Sequence, residues 1–350
     1  MRFRIAAIHG VILAINILSP LRCGTRNVRP LLPDPDAPDS RPVAEGGAAV
    51  TVMSCRQASA PSATVAQLLQ QARQWVPEAG EAEWLLAHVL KRSRSWLYVH
   101  DDEWVDADTH AHYADLLRRR AQGEPIAYLT GQRGFWALDL DVTADTLIPR
   151  VETELLVEAA LERIPEDAAW RLADLGTGSG AVALAIAHER GQCSVLAVDV
   201  SAAALAVAQR NADRNDIHNV RFTQGDWYAP LQGERMHVLV SNPPYIADTD
   251  PHLQRGDLRF EPALALASGA DGLDAIRAIA AGALLHLLPG GWLLVEHGCS
   301  QGQAVRDIFE ACGLQGVLTL RDLEGRERVT VGQAPGTEVL PTQSLPGSTE

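Results

Sequence analysis

Residues 171–180, RLADLGTGSG, decide the fold of this chain. The apolar run 171–175 predicts a buried strand, and glycines follow at 176, 178 and 180 before the helical run 181–188. Glycines at such a turn let the backbone approach a ligand at a helix N-terminus. The spacing is neither G-x-G-x-x-G nor a P-loop pattern, which weakens a dinucleotide interpretation. The alternative is a tight structural turn. The candidates for a nucleotide-type loop are Gly176, Thr177, Gly178, Ser179 and Gly180.

Further apolar runs on the C-terminal side extend this unit into a sheet. Strands are predicted at 194–200, 220–224, 237–241 and 292–296, with helical runs such as 202–211 between them. Strands that alternate with helices predict an α/β fold with a doubly wound, mostly parallel sheet. Near the end, runs 317–320 and 328–331 flank Glu324-Gly325, which predicts an antiparallel hairpin at one edge.

Two of these strands end in acidic residues. Asp199 lies 19 residues after Gly180, close to the roughly 20 expected for a carboxylate on ribose hydroxyls. Its alternative role is to cap the next helix, although Ser201 can do so. Asp226 and Trp227 end the third strand, where a carboxylate can accept from an adenine amine and an indole can lie against a ring. A turn with a core tryptophan is equally compatible with that pair.

The fourth strand ends in Asn242, Pro243, Pro244 and Tyr245, here called the NPPY segment. Two prolines stop strand pairing and stiffen the loop, which leaves the Asn242 side-chain oxygen and the Pro243 carbonyl as acceptors. Such a set suits a planar NH2 group. Ligands of doubly wound sheets bind at the carboxyl ends of strands, where all four motifs fall. Their convergence is more specific than any single motif.

The composition limits the classes of function. A chain of 350 residues can hold one large and one small domain. The net charge of -14 argues against broad attraction to nucleic acid, so we expect no direct nucleic-acid contact. The five cysteines are scattered without a C-x-x-C pair, which suggests neither a disulfide framework nor a metal site and fits a reducing cytoplasm.

The N-terminal region differs from the rest. The apolar run 5–18 is shorter than the roughly 20 residues of a membrane span, and residues 30–42 are crowded with proline and aspartate. The run resembles a signal peptide superficially but lacks a small-x-small cleavage site. We therefore expect residues 1–52 to be a disordered or misassigned extension, with synthesis starting at Met53, and we expect no membrane association.

Helical periodicity begins at residue 64. Thr64 and Gln67 have capping-box spacing, and an apolar face continues to Trp75 and Val76. Further helical runs at 81–91 and from 108 complete a predicted helical domain over 53–130. Residues 135–142 alternate loosely and predict a hairpin within a linker at 131–149. The large domain then covers 150–333, and the tail 334–350 has little to bury.

The chain resembles the class I S-adenosylmethionine-dependent methyltransferases over about residues 64–333. Within them it is similar to the N5-glutamine methyltransferases that modify class I peptide chain release factors. The shared motifs are the Gly loop, the NPPY segment, 123–131 (GEPIAYLTG), 146–150 (TLIPR), 152–154 (ETE), 259–262 (RFEP), 294–298 (LVEHG) and 326–329 (RERV). The resemblance implies a seven-stranded sheet and an enzyme that uses S-adenosyl-L-methionine. Its substrate would be the glutamine of a Gly-Gly-Gln loop in the release factor.

The resemblance also implies a role for each candidate residue. Gly176 to Gly180 would hold the methionine part of the cofactor, Asp199 the ribose, and Asp226 and Trp227 the adenine. Asn242, Pro243, Pro244 and Tyr245 would hold the glutamine, with Asn242, Pro243 and Tyr245 catalytic and Asn242 also near the cofactor. We further expect the helical domain to dock the release factor, the segment 246–263 to line the substrate channel with Arg259 or Glu261 ordering it, and the enzyme to act as a monomer.

Two positions depart from the family pattern. Gly134 stands where a glutamate usually precedes Phe-Trp, and Val151 stands where a proline usually follows the arginine. Both lie outside the strand-end motifs, so they affect local contacts rather than the reaction.

Four other functions remain open from the residues. An N6-adenine DNA or RNA methyltransferase would also use an NPPY segment, but a flipped base needs a basic cleft. A ribosomal-protein glutamine methyltransferase would share the chemistry but differ around Pro149-Arg150. A nicotinamide-dependent oxidoreductase explains the Gly loop and Asp199 but leaves the NPPY segment without a purpose. A non-catalytic binding module is the fourth.

Overall fold

The N-terminal part of the described chain is a helical bundle with its own apolar core. The computed structural model describes residues 61–76, 78 and 80–336. The bundle contains helices α1 to α5 and a short antiparallel strand pair, β1 with β2. The elements in chain order are β1 Pro61–Thr64, α1 Val65–Ala72, α2 Glu81–Leu90, α3 Arg94–Val99, β2 Trp104–Asp106, α4 Ala107–Ala121 and α5 Ile126–Thr130.

The capping box predicted at the start of this bundle is confirmed. The Thr64 hydroxyl accepts from the Gln67 amide at 3.3 Å, and Gln67 Oε1 accepts from the Thr64 amide at 2.9 Å. The core of the bundle includes Leu85, Leu86 and Tyr113, whose hydroxyl donates to the Ala82 carbonyl. The predicted apolar face extends too far, because α1 ends at Ala72 and Trp75 is 57 % exposed.

A hairpin and a single helical turn lead into the large sheet. Strands β3 Gln132–Phe135 and β4 Leu138–Asp141 pair antiparallel, so the predicted hairpin exists but its first strand ends, rather than begins, at Phe135. A 3-10 turn at Val151–Thr153 then precedes α6 Glu154–Leu161. Val151 is exposed at the first position of that turn, where a proline would also fit because no amide bond is required there.

The C-terminal part is a seven-stranded sheet in the order β10-β11-β9-β8-β5-β6-β7. Among the seven strands, only β11 runs antiparallel to the other six, so the doubly wound, mostly parallel fold is confirmed. The strands are β5 Arg171–Leu175, β6 Ser194–Asp199, β7 Val220–Gln224, β8 Met236–Ser241, β9 Leu287–Glu296, β10 Gln315–Arg321 and β11 Glu327–Gln333. The helices beside them are α7 Ala181–Glu189, α8 Ala202–Arg214, α9 Asp274–His286 and α10 Gly302–Ala311.

Each central strand buries both of its faces. Along β6, Val195 and Ala197 belong to the apolar core that contains α7, while Leu196 and Val198 belong to the core on the opposite face of the sheet. This period of two is why the central strands read as continuous apolar runs in the sequence. The carboxyl ends of β5, β6, β7 and β8 consequently meet at one edge, where the candidate residues lie.

Two predicted segments fall largely beyond the described residues. The extension 1–52 and most of the tail 334–350 lie outside them, as does part of the first helical domain, 53–60. The domain boundaries at 130, 149 and 333 stay predictions.

Candidate active site

A cavity of about 680 Å³ opens at the carboxyl ends of the central strands. It lies where the chain leaves β5 toward β6 on one side and returns to β8 on the other, the position at which doubly wound sheets bind ligands. Its volume is in the range of pockets for cofactor-sized ligands. The predicted residues that line it are Gly176, Thr177, Gly178, Ser179, Asp199, Asp226, Trp227, Asn242 and Pro244.

The Gly loop requires its glycines. Gly176, Gly178 and Gly180 have φ of 78°, 56° and 85°, a region that other residues rarely adopt. A Cβ on Gly176 would lie 3.3 Å from the Trp227 ring, and one on Gly180 would lie 3.1 Å from the Ala208 Cβ. The loop therefore combines left-handed backbone with close neighbours, so glycine is required there, as in a loop whose backbone must come close to a ligand. The Gly176 and Thr177 amides fix its start by donating to the Val198 carbonyl, each at 2.9 Å.

Asp199 connects this loop to the neighbouring strand. One carboxylate oxygen accepts from the Gly178 amide at 2.8 Å, and the other accepts from the Ser201 amide at 2.9 Å. Ser201 itself caps α8 by accepting from the Ala204 amide at 3.1 Å, so Asp199 is not needed as that cap. Each carboxylate oxygen keeps a free lone pair toward the cavity, which is what a pair of ribose hydroxyls would require.

Asp226 and Trp227 form the adjoining wall. Trp227 is half-buried with φ of 40°, an unusual backbone conformation for a bulky residue. Its ring packs partly on the core below α9 and partly over the Gly loop, while Asp226 is exposed. Strained backbone of this kind persists where the surroundings hold it, and it is common at ligand sites.

The NPPY segment follows β8 directly. The Asn242 amide nitrogen donates to the Thr153 hydroxyl at 3.2 Å, which leaves the Asn242 side-chain oxygen available to a ligand. Pro244 also lines the cavity, and Pro243 is buried. The Tyr245 hydroxyl donates to Glu296 at 3.4 Å, and burial raises the pKa of Tyr245. The Ser241 hydroxyl, which donates to the Leu175 carbonyl at 2.5 Å, ties the start of this segment to the Gly loop.

Asp174 lines the cavity but is absent from the sequence-predicted set. It is 1 % exposed, and one of its oxygens accepts from the Thr177 hydroxyl at 2.7 Å and from the Ala183 amide at 3.2 Å. Burial raises the pKa of Asp174 to about 7. The signal that could have revealed it is a carboxylate inside an otherwise apolar strand, directly before the glycines.

A segment after the NPPY residues closes the opposite side. Pro262 and Leu264 line the cavity, consistent with a channel wall near the end of 246–263. Glu261 is buried and pairs with Arg150 at 2.5 Å, while Arg259 donates to the Gln122 carbonyl at 2.5 Å. Both residues therefore anchor this segment, Glu261 to the start of the large domain and Arg259 to the helical bundle.

Other classes of site leave no trace in the described part of the chain. Within 61–76, 78 and 80–336, no group of three or more His, Cys, Asp or Glu side chains could hold a metal ion. Over the same ranges, no helix is long and apolar enough to cross a bilayer. The three arginines at the end of α4, Arg118, Arg119 and Arg120, form ion pairs with nearby carboxylates. Arg120 pairs with Glu81 at 2.7 Å.

Comparison with known proteins agrees with the fold. A family model described as "PrmC N-terminal domain" matches residues 63–131, and one described as "Methyltransferase small domain" matches 151–259. A release factor glutamine methyltransferase of Xylella fastidiosa is 57 % identical over 259 residues, 74 % of this chain and 94 % of that protein. One from Escherichia coli is 47 % identical over 72 % of this chain and 91 % of that protein.

A solved structure gives the same name. The release factor-specific protein-(glutamine-N5) methyltransferase of Alicyclobacillus acidocaldarius is 30 % identical, covering 56 % of this chain and 99 % of that one with a TM-score of 0.35. The sequence relatives match along nearly their whole length, through both the helical bundle and the sheet. On that evidence, the chain belongs to the family of release factor glutamine methyltransferases.

Proposed function

We propose that this protein transfers a methyl group from S-adenosyl-L-methionine to the side-chain amide nitrogen of the glutamine in the Gly-Gly-Gln loop of class I peptide chain release factors. The observation that carries the proposal is that Asn242, whose amide nitrogen is bonded to Thr153, lines the same cavity as the Gly loop and Asp199. A nucleotide-type cradle and an acceptor for an NH2 group are thus combined in one site. Family membership supplies the identity of the acceptor protein.

The residues present fit this cofactor. The left-handed glycines give close backbone approach for the methionine part, Asp199 offers lone pairs to the ribose, and the Trp227 ring with Asp226 suits the adenine. S-adenosyl-L-methionine, when bound, supplies an electrophilic methyl group. Assignment of Gly176, Thr177, Gly178, Ser179, Gly180 and Asn242 to cofactor contact is part of the proposal.

The NPPY segment would activate the substrate by orientation. An amide nitrogen is a poor nucleophile because its lone pair is delocalised, and acceptors on its two hydrogens favour the positive charge that develops as it reacts. The Asn242 side-chain oxygen and the Pro243 carbonyl are those acceptors. Pro244 would line the passage, and the Tyr245 ring would support the amide plane. No strong base is needed beforehand, because the methylated nitrogen loses its proton readily.

The helical domain, assigned to 53–130, would dock the release factor. Its surface carries large apolar side chains that are more than half exposed, namely Trp75, Trp84, Tyr98, Val99 and Trp104. Aromatic side chains, four of these five, are enriched at protein–protein interfaces. Replacing Trp104 with serine should raise the KM for intact release factor while the affinity for the cofactor stays constant. An unchanged KM for this variant and for Trp75→Ser would remove these side chains from docking.

One experiment tests the proposed reaction. The protein is incubated with methyl-labelled cofactor and, separately, with release factor, release factor lacking the Gly-Gly-Gln glutamine, total tRNA and DNA. Label should appear on intact release factor alone, at that glutamine by mass spectrometry. Label confined to nucleic acid would instead indicate an N6-adenine methyltransferase, which could grip the adenine amine with the same segment. The acidic net charge disfavours that alternative.

A cytoplasmic location and a monomeric state are part of the same proposal. Cys193, Cys299 and Cys312 are free thiols, as a reducing compartment would keep them. Cell fractionation and light scattering test the two statements, which an exported or dimeric protein would contradict.

A further inference from the structure

Two buried polar residues that have no role in the proposed chemistry form hydrogen bonds with side chains of the NPPY segment. Thr153 directly precedes α6 without a side-chain capping bond, and Glu296 ends β9; they are 3 % and 1 % exposed. Thr153 receives a hydrogen bond from the Asn242 amide nitrogen at 3.2 Å, and Glu296 receives one from the Tyr245 hydroxyl at 3.4 Å. The two substrate-holding side chains are therefore supported by a buried polar pair from distant parts of the chain.

The direction of these hydrogen bonds follows from simple counting. An ionised carboxylate can only accept, and a threonine hydroxyl has one hydrogen to donate. Burial raises the pKa of Glu296, and donation from the neighbouring Thr153 hydroxyl opposes that rise, so Thr153 is the donor whenever Glu296 is ionised. The oxygen of Thr153 must then accept from Asn242. The Asn242 NH2 consequently faces Thr153, and its carbonyl oxygen is the end left for the substrate.

The orientation matters because the two ends of an asparagine amide are nearly identical in shape. If the NH2 of Asn242 faced the glutamine nitrogen, two donors would oppose each other and the amide would lose an acceptor. Packing alone does not prevent such a flip. Donation of the single Thr153 hydrogen to an ionised Glu296 does prevent it, because the Thr153 oxygen can then only accept from Asn242.

We propose that Glu296 and Thr153 are positioning residues that hold the Asn242 side-chain oxygen toward the substrate amide. This inference deepens the proposed function and rests on it. Glu296 lies outside the cavity lining and acts through Tyr245, while Thr153, which also lines the cavity, acts through Asn242.

Stability alone is a poor explanation for Glu296. One of its carboxylate oxygens is buried without a hydrogen-bond partner among the described residues, and burial raises the pKa of Glu296 to about 7. Arg328 is the nearby cation that opposes this rise, and Glu152 adds to it. Buried and incompletely paired charges cost free energy of folding, so an apolar or neutral side chain would serve a purely structural purpose better.

The test is a double-mutant cycle on single-turnover methylation of release factor at saturating cofactor. Thr153→Val removes the hydroxyl at nearly constant volume and should slow the rate about tenfold or more, since the substrate amide loses an oriented acceptor. Thr153→Ser keeps the hydroxyl and should remain within about threefold of wild type. Glu296→Gln should slow the rate while its unfolding midpoint is not lowered.

The second arm of the cycle separates positioning from general damage. In an Asn242→Ala background, Thr153→Val should cause no further loss, because residues that act as a unit are non-additive. Cofactor affinity by calorimetry should stay within about twofold in all Thr153 variants. Thr130→Val, which removes a hydroxyl bonded only within the helical bundle and its edge, serves as the matched control.

The outcomes distinguish the two levels of inference. A wild-type protein that leaves the release factor glutamine unmodified refutes the proposed function. A wild-type protein that methylates it, together with a Thr153→Val effect that is absent or undiminished by Asn242→Ala, refutes the positioning role alone.

Discussion

Replacement of Asp199 by asparagine isolates the contribution of one carboxylate to cofactor binding. The side chain keeps its shape but loses its charge and one acceptor oxygen. In the structure, one oxygen accepts from the Gly178 amide and the other from the Ser201 amide, at 2.8 and 2.9 Å. Asparagine can satisfy only one of these donors, and its NH2 must then point at the other. Either the Gly loop or the start of α8 loses its anchor.

The magnitude follows from the kind of hydrogen bond that is lost. Hydrogen bonds to charged groups contribute about 1.5–3 kcal/mol each. If one such bond to a ribose hydroxyl disappears, the dissociation constant for the cofactor rises about 10- to 150-fold, at 1.4 kcal/mol per factor of ten. A shifted Gly178 adds to this loss, because the loop is part of the same cradle.

Titration calorimetry with S-adenosyl-L-methionine measures this effect directly. Asp213→Asn, on the exposed side of α8, is the matched control, since it removes the same charge away from the cavity. Circular dichroism establishes that both variants are folded. An Asp199→Asn dissociation constant within twofold of the control would refute the assignment of this carboxylate to the cofactor.

Two further predictions concern stability. Burial holds the pKa of Asp174 near 7, above its unfolded value near 4, so the folded state binds the extra proton and stability falls as pH rises between these values, by up to about 1.4 kcal/mol per pH unit. In Asp174→Asn, which keeps an acceptor for Thr177, the free energy of unfolding measured with urea should fall less steeply with rising pH than in wild type. An unchanged dependence on pH would contradict the raised pKa of Asp174. At position 134, which faces Asp139 across the hairpin with open space around it, Gly134→Lys should be more stable than Gly134→Glu by about 0.2–1 kcal/mol. Equal thermal midpoints would exclude that charge effect.

The central strands could be predicted from the sequence because both of their faces are buried. β5 has the predicted bounds, and β6 and β8 differ from them by one residue. The edge strand β7 also has the predicted bounds, although none of its residues is fully buried. β9 begins five residues earlier than predicted, since Pro289, Gly290 and Gly291 look like a strand breaker in isolation. In the structure these three residues lie in the stretch of β9 where the register of its parallel pairing with β8 shifts.

The helical bundle was less predictable. α3 and α5 have six and five residues, too short for a periodic pattern, and tertiary packing rather than propensity stabilises them. The error at Trp75 has a different cause. Periodicity counts an apolar residue whether or not the helix continues, and the approach to Pro77 disfavours helical backbone.

The residues of the candidate site also differ in how well the sequence reveals them. The Gly loop, Asp199 and Asn242 could be found because each follows a recognisable strand. Thr153 and Glu296 could not be given roles, because they are 89 residues before Asn242 and 51 residues after Tyr245 in the chain. A polar residue at the end of an apolar run carries no sign of which distant group it will meet.

The buried carboxyl groups give the physical reason for this limit. Asp174, Glu261 and Glu296 are each at most 6 % exposed, and an oxygen of Glu261 and of Glu296 has no hydrogen-bond partner among the described residues. Each raises the free energy of the folded state. Asp174 lines the cavity, Glu261 directly precedes the cavity-lining Pro262, and Glu296 bonds Tyr245, which follows the cavity-lining Pro244. The strands can be predicted because apolar side chains are buried and charged ones are exposed or paired. Around the cavity this rule is broken, as expected where side chains are held for chemistry rather than for packing.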